Sequence, residues 1–486
     1  MAQTAHEESP ELQFGRDEVA LQGHFTDLER RKHDTRITRY PELSIWQRVN
    51  SELDSFESVH HRFWWTSHTG KALAVLLYHA RYPADAQYRN LKFFAEAVAP
   101  HLGICPELAE SETPIWPSFM TDDGTPVEIS WDWGTTDAPP TIRYSVEPIG
   151  LHAGTSVDPG NLSAGPSFQE QLARSLPTMR LEWFHHFQAF FGIPNINSEF
   201  RKDTRDHNSS IFYAFDCSET DITPKVYFFP KSRAKASGQS NLDVLFQAMR
   251  TAPHVTEGNF KAGDMLHAFC SNVGSTLLEH EMLAIDLIDP LRSRLKIYFR
   301  YRETTFNSVI NIMTLGGRIQ NPKLYEGLVD LHRLWNALFG VSAVGQPLRA
   351  VEHRTSGILY NVEFRLGEAL PVAKIYLPVR HYSTSDEAVI RGLNDYFQGR
   401  QKGKYMPDYI KAMSTLLWVF AIFFYFQSFV WNILLKYSCS TPQSMRENAG
   451  VQTYVGYAIR PDGTVRVISY FKPQVPVHLF ESEGGS

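Results

Sequence analysis

The chain has 486 residues, 43% of them hydrophobic and 21% charged, a composition suited to a folded protein and not to a disordered one. Its 47 Lys and Arg against 53 Asp and Glu give a formal net charge of −6, which argues against a dedicated nucleic-acid binder. At about 150 residues per domain the length allows roughly three domains, although a barrel often uses more chain as one unit.

The opening MAQTAHEESPELQFGRDEV has no basic segment followed by an apolar core, so no secretory signal is expected. Residues 1–40 are charged and poor in apolar periodicity and read as a flexible leader. From Ile45 the pattern turns helical, with Trp46, Val49, Leu53 and Phe56 on one face. Further helical stretches are expected near 67–82, 85–101, 167–192, 241–252, 262–284, 322–339, 386–398 and 405–418. Between them lie pairs of alternating runs that read as hairpins. They are 126–133 with 141–149, 210–217 with 225–230, 294–301 with 309–317, 357–364 with 372–379, and 452–459 with 464–471. A helix–strand–strand–helix unit thus repeats about five times, which argues for one domain over 41–475 followed by a tail at 476–486. Cys105, Cys217, Cys270 and Cys439 are far apart and form no CxxC pair, so reduced thiols in a cytoplasmic setting are expected.

The alternation inside the strands assigns faces, because side chains two apart share one side of a sheet. Val127, Ile129, Trp131 and Trp133 oppose Glu128, Ser130 and Asp132; Ile142, Tyr144 and Val146 oppose Arg143, Ser145 and Glu147. One face needs helices to cover it, and the other faces solvent or ligand. Ten such strands closing on themselves give a wide barrel with a polar lumen.

Three hairpins carry the same phrase: Lys225-Val-Tyr227, Lys296-Ile-Tyr298 and Lys374-Ile-Tyr376. Arg294 extends the second one backwards, and Arg143, Arg466, Tyr454 and Tyr470 extend the set. For any one strand, a lysine facing solvent is the simpler explanation. Recurrence of the phrase favours a common lumen where cations meet a diphosphate and tyrosine rings shelter a carbocation. Glu128 is the acid placed to take a proton there, while Asp216 and Glu147 read as structural ion-pair partners. Asp122-Asp123 does not extend to a DDxxD cluster, and neither a Walker A loop, GxGxxG nor HExxH is found. The adjacent pairs His60-His61 and His185-His186 point different ways on a helix and do not suit a metal.

In the phrases GTPVEISWDW, TIRYSVEPIG, KVYFFP, RLKIYFRY, KIYLPV and QTYVGYAI, residues 45–475 resemble the fungal aromatic prenyltransferases of the dimethylallyltryptophan synthase type. The resemblance implies an α+β fold, a ten-stranded antiparallel barrel ringed by helices and built from α-β-β-α units. It implies transfer of a dimethylallyl group from dimethylallyl diphosphate to an electron-rich aromatic small molecule, with no cofactor and no obligatory metal. Matched positions would make Glu128 the proton acceptor. Arg143, Lys225, Arg294, Lys296, Lys374 and either Arg466 or Arg460 would bind the diphosphate. Tyr227, Tyr298, Tyr376, Tyr454 and Tyr470 would form the tyrosine shield. Phe119, Met120 and Phe212 are expected to line the acceptor pocket. Enzymes acting at C4 of free tryptophan commonly carry a lysine where this chain has Phe212, so the acceptor is expected to be a phenolic polyketide of xanthone or naphthacenedione type. Tryptophan or a derived indole is the alternative, and a non-catalytic barrel binding an anionic aromatic ligand is an alternative of another class. A monomer or homodimer is expected.

Leu416–Leu435 does not fit this pattern. It has 20 residues without charge, long enough as a helix to span the roughly 30 Å of a bilayer core. A membrane span would part the fifth hairpin from the other four and break barrel closure. An apolar insertion over 414–445, peripheral or an artefact of the gene model, is therefore expected ahead of a membrane segment.

Overall fold

Alternation in each strand sorts its residues onto two surfaces, and closing the sheet turns those surfaces into an outside and an inside. The computed structural model describes residues 40–106, 116–192, 207–273, 277–417 and 450–473. Ten strands form the barrel: β1 (Val127–Gly134), β2 (Thr141–Val146), β3 (Ile211–Cys217), β4 (Ile222–Phe228), β5 (Leu278–Asp286), β6 (Leu295–Tyr301), β7 (Ile358–Phe364), β8 (Val372–Leu377), β9 (Gln452–Ile459) and β10 (Val465–Phe471). Each pairs antiparallel with its neighbours in chain order, and β10 pairs with β1 to close the ring. Among the described residues, closure leaves no barrel strand with an unpaired edge.

The outward residues meet helices in one continuous apolar core. Two of these helices are α1 (Asp386–Phe397) and α2 (Met406–Leu417). Trp133 lies 4.5 Å from Phe397 and 5.1 Å from Tyr409, and Trp131 lies 5.4 Å from Tyr409, ring to ring. Burying aromatic rings of this size supplies much of the hydrophobic stabilisation and fixes which way β1 faces. The lumen holds a second, separate apolar cluster of Ala284, Tyr298, Leu359, Tyr376 and Tyr454, with Tyr227, Met282 and Tyr470 packed against it. Each strand is therefore apolar on the outside and mixed on the inside, as the alternation requires.

Four of the five expected hairpins form. The third is corrected: residues 309–317 are not a strand, because Phe306–Met313 is a helix. Its buried residues Phe306, Val309, Ile312 and Met313 follow helical spacing, and Thr305 caps it by accepting from the Ser308 amide. The strand that pairs with β6 is β5, which the sequence reading placed in a helix over 262–284. That helix covers only Lys261–Val273. A register shift between His280 and Met282 places the extra residue Glu281 in β5 and hides its period of two. The helical stretch at 167–192 is likewise two helices, Ala164–Ser175 and Glu182–Phe191.

Among the described residues no helix is long and apolar enough to cross a membrane. Leu416 and Leu417 close α2, and the rest of the apolar run lies outside the described residues, as do most of the leader and the tail. Cys105, Cys217 and Cys270 are buried and form no disulfide among the described residues, and Cys439 lies outside them.

Candidate active site

The lumen is layered along the strands. At one level β1 offers Asp132, β2 Arg143, β3 Asp216, β4 Lys225, β5 Asp286, β6 Lys296, β7 Glu363 and β10 Arg466, a set joined by cross-strand register and ion pairs. Arg143 lies 2.8 Å from Asp132 and 2.9 Å from Asp216. Lys225 donates to Asp216 and Arg466 to Asp132. Arg294 Nε donates to Asp286 at 2.8 Å and its Nη1 to Glu363 at 3.1 Å, while Lys296 Nζ donates to the other Asp286 oxygen at 2.7 Å. Burial works against every charge here, and the opposed charges hold the carboxyls of Asp132, Asp216, Asp286 and Glu363 below the usual range. Burial dominates at the lysines: Lys225 falls to about 8, and Lys374 lies well below the ordinary ammonium range.

Lys374 differs from the other cations. It has no carboxylate partner among the described residues; its Nζ donates to Tyr470 Oη at 2.7 Å and sits 4.2 Å from the Tyr376 ring centre. It joins the cationic layer to the tyrosine layer. There Tyr227 and Tyr298 are 5.7 Å apart, Tyr298 and Tyr376 5.9 Å, Tyr376 and Tyr470 5.5 Å, and Tyr376 and Tyr454 6.2 Å. Asn361 Nδ2 donates to Tyr376 Oη at 3.1 Å, and Tyr376 Oη donates to Tyr298 Oη at 3.3 Å, which orders the rings. Aromatic faces grouped in this way suit positive charge.

Glu128 stands beyond the tyrosines, two residues from Ser130, which lies opposite Tyr470. Its Oε1 accepts from Thr453 Oγ1 at 2.7 Å. Burial pushes the carboxyl up to about 7, with the Thr453 hydrogen bond and the charge of Arg380 pulling it back. A carboxyl poised there can exchange a proton near neutral pH.

The lumen thus brings together Glu128, the five tyrosines, and Arg143, Lys225, Arg294, Lys296, Lys374 and Arg466. Arg460 is not among them: it is exposed in the turn between β9 and β10, where its amide donates to Thr464 O. Glu147 is corrected too. It accepts from Trp116 Nε1 at 3.0 Å, Ser209 Oγ at 2.7 Å and Ser118 Oγ, and has no ion pair among the described residues. Burial lifts it to about 7. Asp216 is ion-paired as expected, but inside the cationic layer. Phe212 faces the lumen opposite Tyr227 and packs on Phe229 at 4.8 Å. Phe119 stacks on His207 at 3.9 Å and approaches Phe229 at 6.3 Å, forming the rim, and Met120 beside it is half-buried.

Sequence reasoning missed Asp286, Glu363, Asn361, Thr453 and Arg380. Glu363 and Asn361 alternate within NVEF and were open to the same face argument; Arg380 lies outside the strands. Asp122, His353 and His381 also bring potential metal-ligating atoms within 4.8 Å of one another. Thr355 Oγ1 donates to Asp122 Oδ1 at 3.2 Å and lies 2.8 Å from both His353 Nδ1 and His381 Nε2, and Arg380 Nε lies 3.1 Å from Asp122.

A sequence profile described as tryptophan dimethylallyltransferase matches residues 60–412. The chain belongs to the tryptophan dimethylallyltransferase family. It is an aromatic prenyltransferase of this type, acting on small molecules. Within the family, a 4-O-dimethylallyl-L-tyrosine synthase of Claviceps purpurea is 34% identical over 435 residues, 88% of this chain and 92% of that protein. A 7-dimethylallyltryptophan synthase of Aspergillus fumigatus is 33% identical over 367 residues, 73% of this chain and 77% of that protein. The crystal structure of AnaPT from Neosartorya fischeri matches with a TM-score of 0.73 and 24% identity, over 88% of this chain and 98% of its own. That likeness supports the family's barrel.

Proposed function

We propose that this prenyltransferase moves a dimethylallyl group from dimethylallyl diphosphate to a phenolic acceptor, with Glu128 taking the acceptor's proton. The C–O bond to the diphosphate breaks and the leaving group keeps the electron pair. Arg143, Lys225, Arg294, Lys296, Lys374 and Arg466 receive its negative charge, so the chain's own cations neutralise it. The allyl cation sits among the tyrosine faces until an oxygen or ring carbon of the acceptor bonds to it. The phenol proton passes to Glu128, which raises the nucleophilicity of the acceptor.

The observation that carries this reading is Glu128: a buried carboxyl pushed up to about 7, next to the tyrosine layer and two strand positions beyond the level of Tyr470, on the side opposite Asp132. A phenol is a better match to such a base than an indole N–H, because it is the stronger acid. The named activity of the Claviceps purpurea relative, on a tyrosine oxygen, supports the same class. A phenolic polyketide and a tyrosine-like phenol offer Glu128 the same O–H. Phe212 in the lumen, where C4-specific enzymes commonly carry lysine, speaks against free tryptophan at C4.

The test is mass spectrometry of products from a panel of phenols and indoles given dimethylallyl diphosphate. A gain of one dimethylallyl group on phenols is the expected result. Turnover of indoles alone would replace the phenolic reading, and no product from either class would overturn the dimethylallyl donor.

A further inference from the structure

We propose that Arg380 anchors the acceptor by a carboxylate, and that Asp122 occupies that place in the free barrel. This rests on the phenolic reading above and narrows it to acceptors that carry an anionic group, such as an aromatic amino acid.

Arg380 comes from the short helical turn Val379–Tyr382 that follows β8. Its side chain is only 6% exposed. Nη2 donates to Tyr454 Oη at 3.0 Å, and the guanidinium carbon lies 4.8 Å from the centre of the Tyr454 ring. Tyr454 belongs to the lumen cluster, so the guanidinium sits against the tyrosine layer. Its charge also acts on Glu128 more strongly than that of Lys374. The cationic layer is engaged with Asp132, Asp216, Asp286 and Glu363 on the other side of the tyrosines. Arg380 is therefore placed for the acceptor, not for the diphosphate.

Its pairing is incomplete. Nε lies 3.1 Å from Asp122 Oδ2, but the N–H is not aimed at that oxygen and remains a buried donor without a hydrogen bond among the described residues. Leaving such a donor unsatisfied is costly, so the site favours a better acceptor. The neighbouring Arg300 shows what a permanent pair looks like here. It meets Glu281 at 3.0 Å with both side chains almost fully buried, and Glu281 is built into β5. Asp122 instead belongs to the loop before β1 and is 34% exposed, so it can turn to water. Asp123 beside it fixes the loop by pairing with Lys472 at 2.7 Å and accepting from Thr121 Oγ1 at 2.7 Å. A substrate carboxylate can thus replace Asp122 without loosening the loop, and Arg380 keeps a counter-charge in both states. Guanidinium and carboxylate match as a two-pronged pair, which fixes orientation as well as charge. With the carboxylate on Arg380 and the phenol oxygen at Glu128, the acceptor is held at two points.

L-Tyrosine and tyramine share one phenol and differ in the carboxylate, so they isolate the anchor. For the parent, Arg380→Gln and Asp122→Asn, kcat and KM with dimethylallyl diphosphate and calorimetric binding of each acceptor are measured. The parent should bind L-tyrosine more tightly than tyramine. In Arg380→Gln the L-tyrosine to tyramine ratio of kcat/KM should fall about 10- to 100-fold, mainly through KM, the loss expected for one charge-assisted contact. Asp122→Asn removes the internal competitor and should lower the dissociation constant for L-tyrosine. Equal losses on both acceptors in Arg380→Gln, or unchanged or weaker L-tyrosine binding in Asp122→Asn, would overturn the assignment. A parent that prenylates phenols but binds tyramine as well as L-tyrosine would overturn it too, while leaving phenol prenylation intact. Prenylation of no phenol at all, with L-tyrosine still bound through Arg380, would instead remove the phenolic reading alone.

Discussion

Replacing Glu128 with glutamine separates its chemical role from its structural cost. The carboxyl is held at about 7 against an ordinary 4.5, chiefly by burial. That gap corresponds to about 3 kcal/mol of lost stability in the folded state once the group must ionise. The sign follows from the two protonation equilibria. Below about pH 4.5 the carboxyl is protonated in folded and unfolded chains alike, and its ionisation costs nothing. Between 4.5 and 7 the unfolded chain releases the proton first, so stability drains away until both forms are ionised above 7. Glutamine cannot ionise, and its side-chain oxygen can still accept from Thr453. Glu128→Gln should therefore melt at a higher temperature than the parent, with a difference that is small at pH 4.5 and widens to a plateau above pH 7. Turnover should fall by about 10²-fold or more, the usual consequence of losing a general base. The parent's kcat/KM should also decline below about pH 7 as the base becomes protonated. Differential scanning fluorimetry over pH and product formation by chromatography measure both. Near-parent turnover in Glu128→Gln would remove it from the mechanism, and a melting difference independent of pH would refute the burial argument.

Arg294→Ala should raise KM for the prenyl diphosphate more than KM for the acceptor and lower kcat/KM by roughly 10- to 150-fold, the range for one charge-assisted contact; unchanged prenyl-diphosphate kinetics would exclude the residue from that site. Activity should persist in EDTA because the lumen cations neutralise the leaving group, and complete loss restored by Mg²⁺ would defeat that account. Binding of a non-reactive prenyl diphosphate analogue near pH 8 should take up protons, since an anion beside Lys225 and Lys374 raises ammonium groups that burial has lowered. Calorimetry in buffers of different ionisation enthalpy reads that uptake, and a buffer-independent enthalpy would contradict it.

The barrel was legible wherever strand period and burial agreed. Val127, Ile129, Trp131 and Trp133 lie in the outer core as their alternation requires, and Glu128 faces inward for the same reason. β5 was illegible because Glu281, the extra residue at its register shift, interrupts the period of two and makes the strand resemble an extension of the preceding helix. VINIM failed in the opposite way. Its residues suit strands by type, but Val309, Ile312 and Met313 continue the helical face that Phe306 begins. In the site, cations repeated in a phrase could be found one strand at a time. Asp216 could be read as an ion-pair partner in the same way, but the pairing of Arg294 with Glu363 could not, because it exists only after β6 and β7 are aligned. Arg380 was hidden for a similar reason: its position depends on how the chain leaves β8, not on any strand pattern.

The charge arrangement explains why those hidden partners matter. Arg143, Lys225, Arg294, Lys296, Lys374 and Arg466 could not remain charged together in a water-poor lumen on their own. Asp132 serves Arg143 and Arg466, Asp216 serves Arg143 and Lys225, and Asp286 and Glu363 serve Arg294 and Lys296. The carboxylates sit on the same strands as the cations or on their neighbours, so each pair is set by the register of the barrel. They preserve the cations without cancelling them, since six basic groups face four carboxylates, although burial lowers the ammonium groups of Lys225 and Lys374. Lys374 lies beside the tyrosine layer, and among the described residues its Nζ has no carboxylate partner and donates to the Tyr470 hydroxyl. On the proposed reading, a diphosphate would meet donors already oriented by fixed acids and would bring negative charge of its own. Such preorganisation would let the leaving group be stabilised without reorienting the protein as the C–O bond breaks.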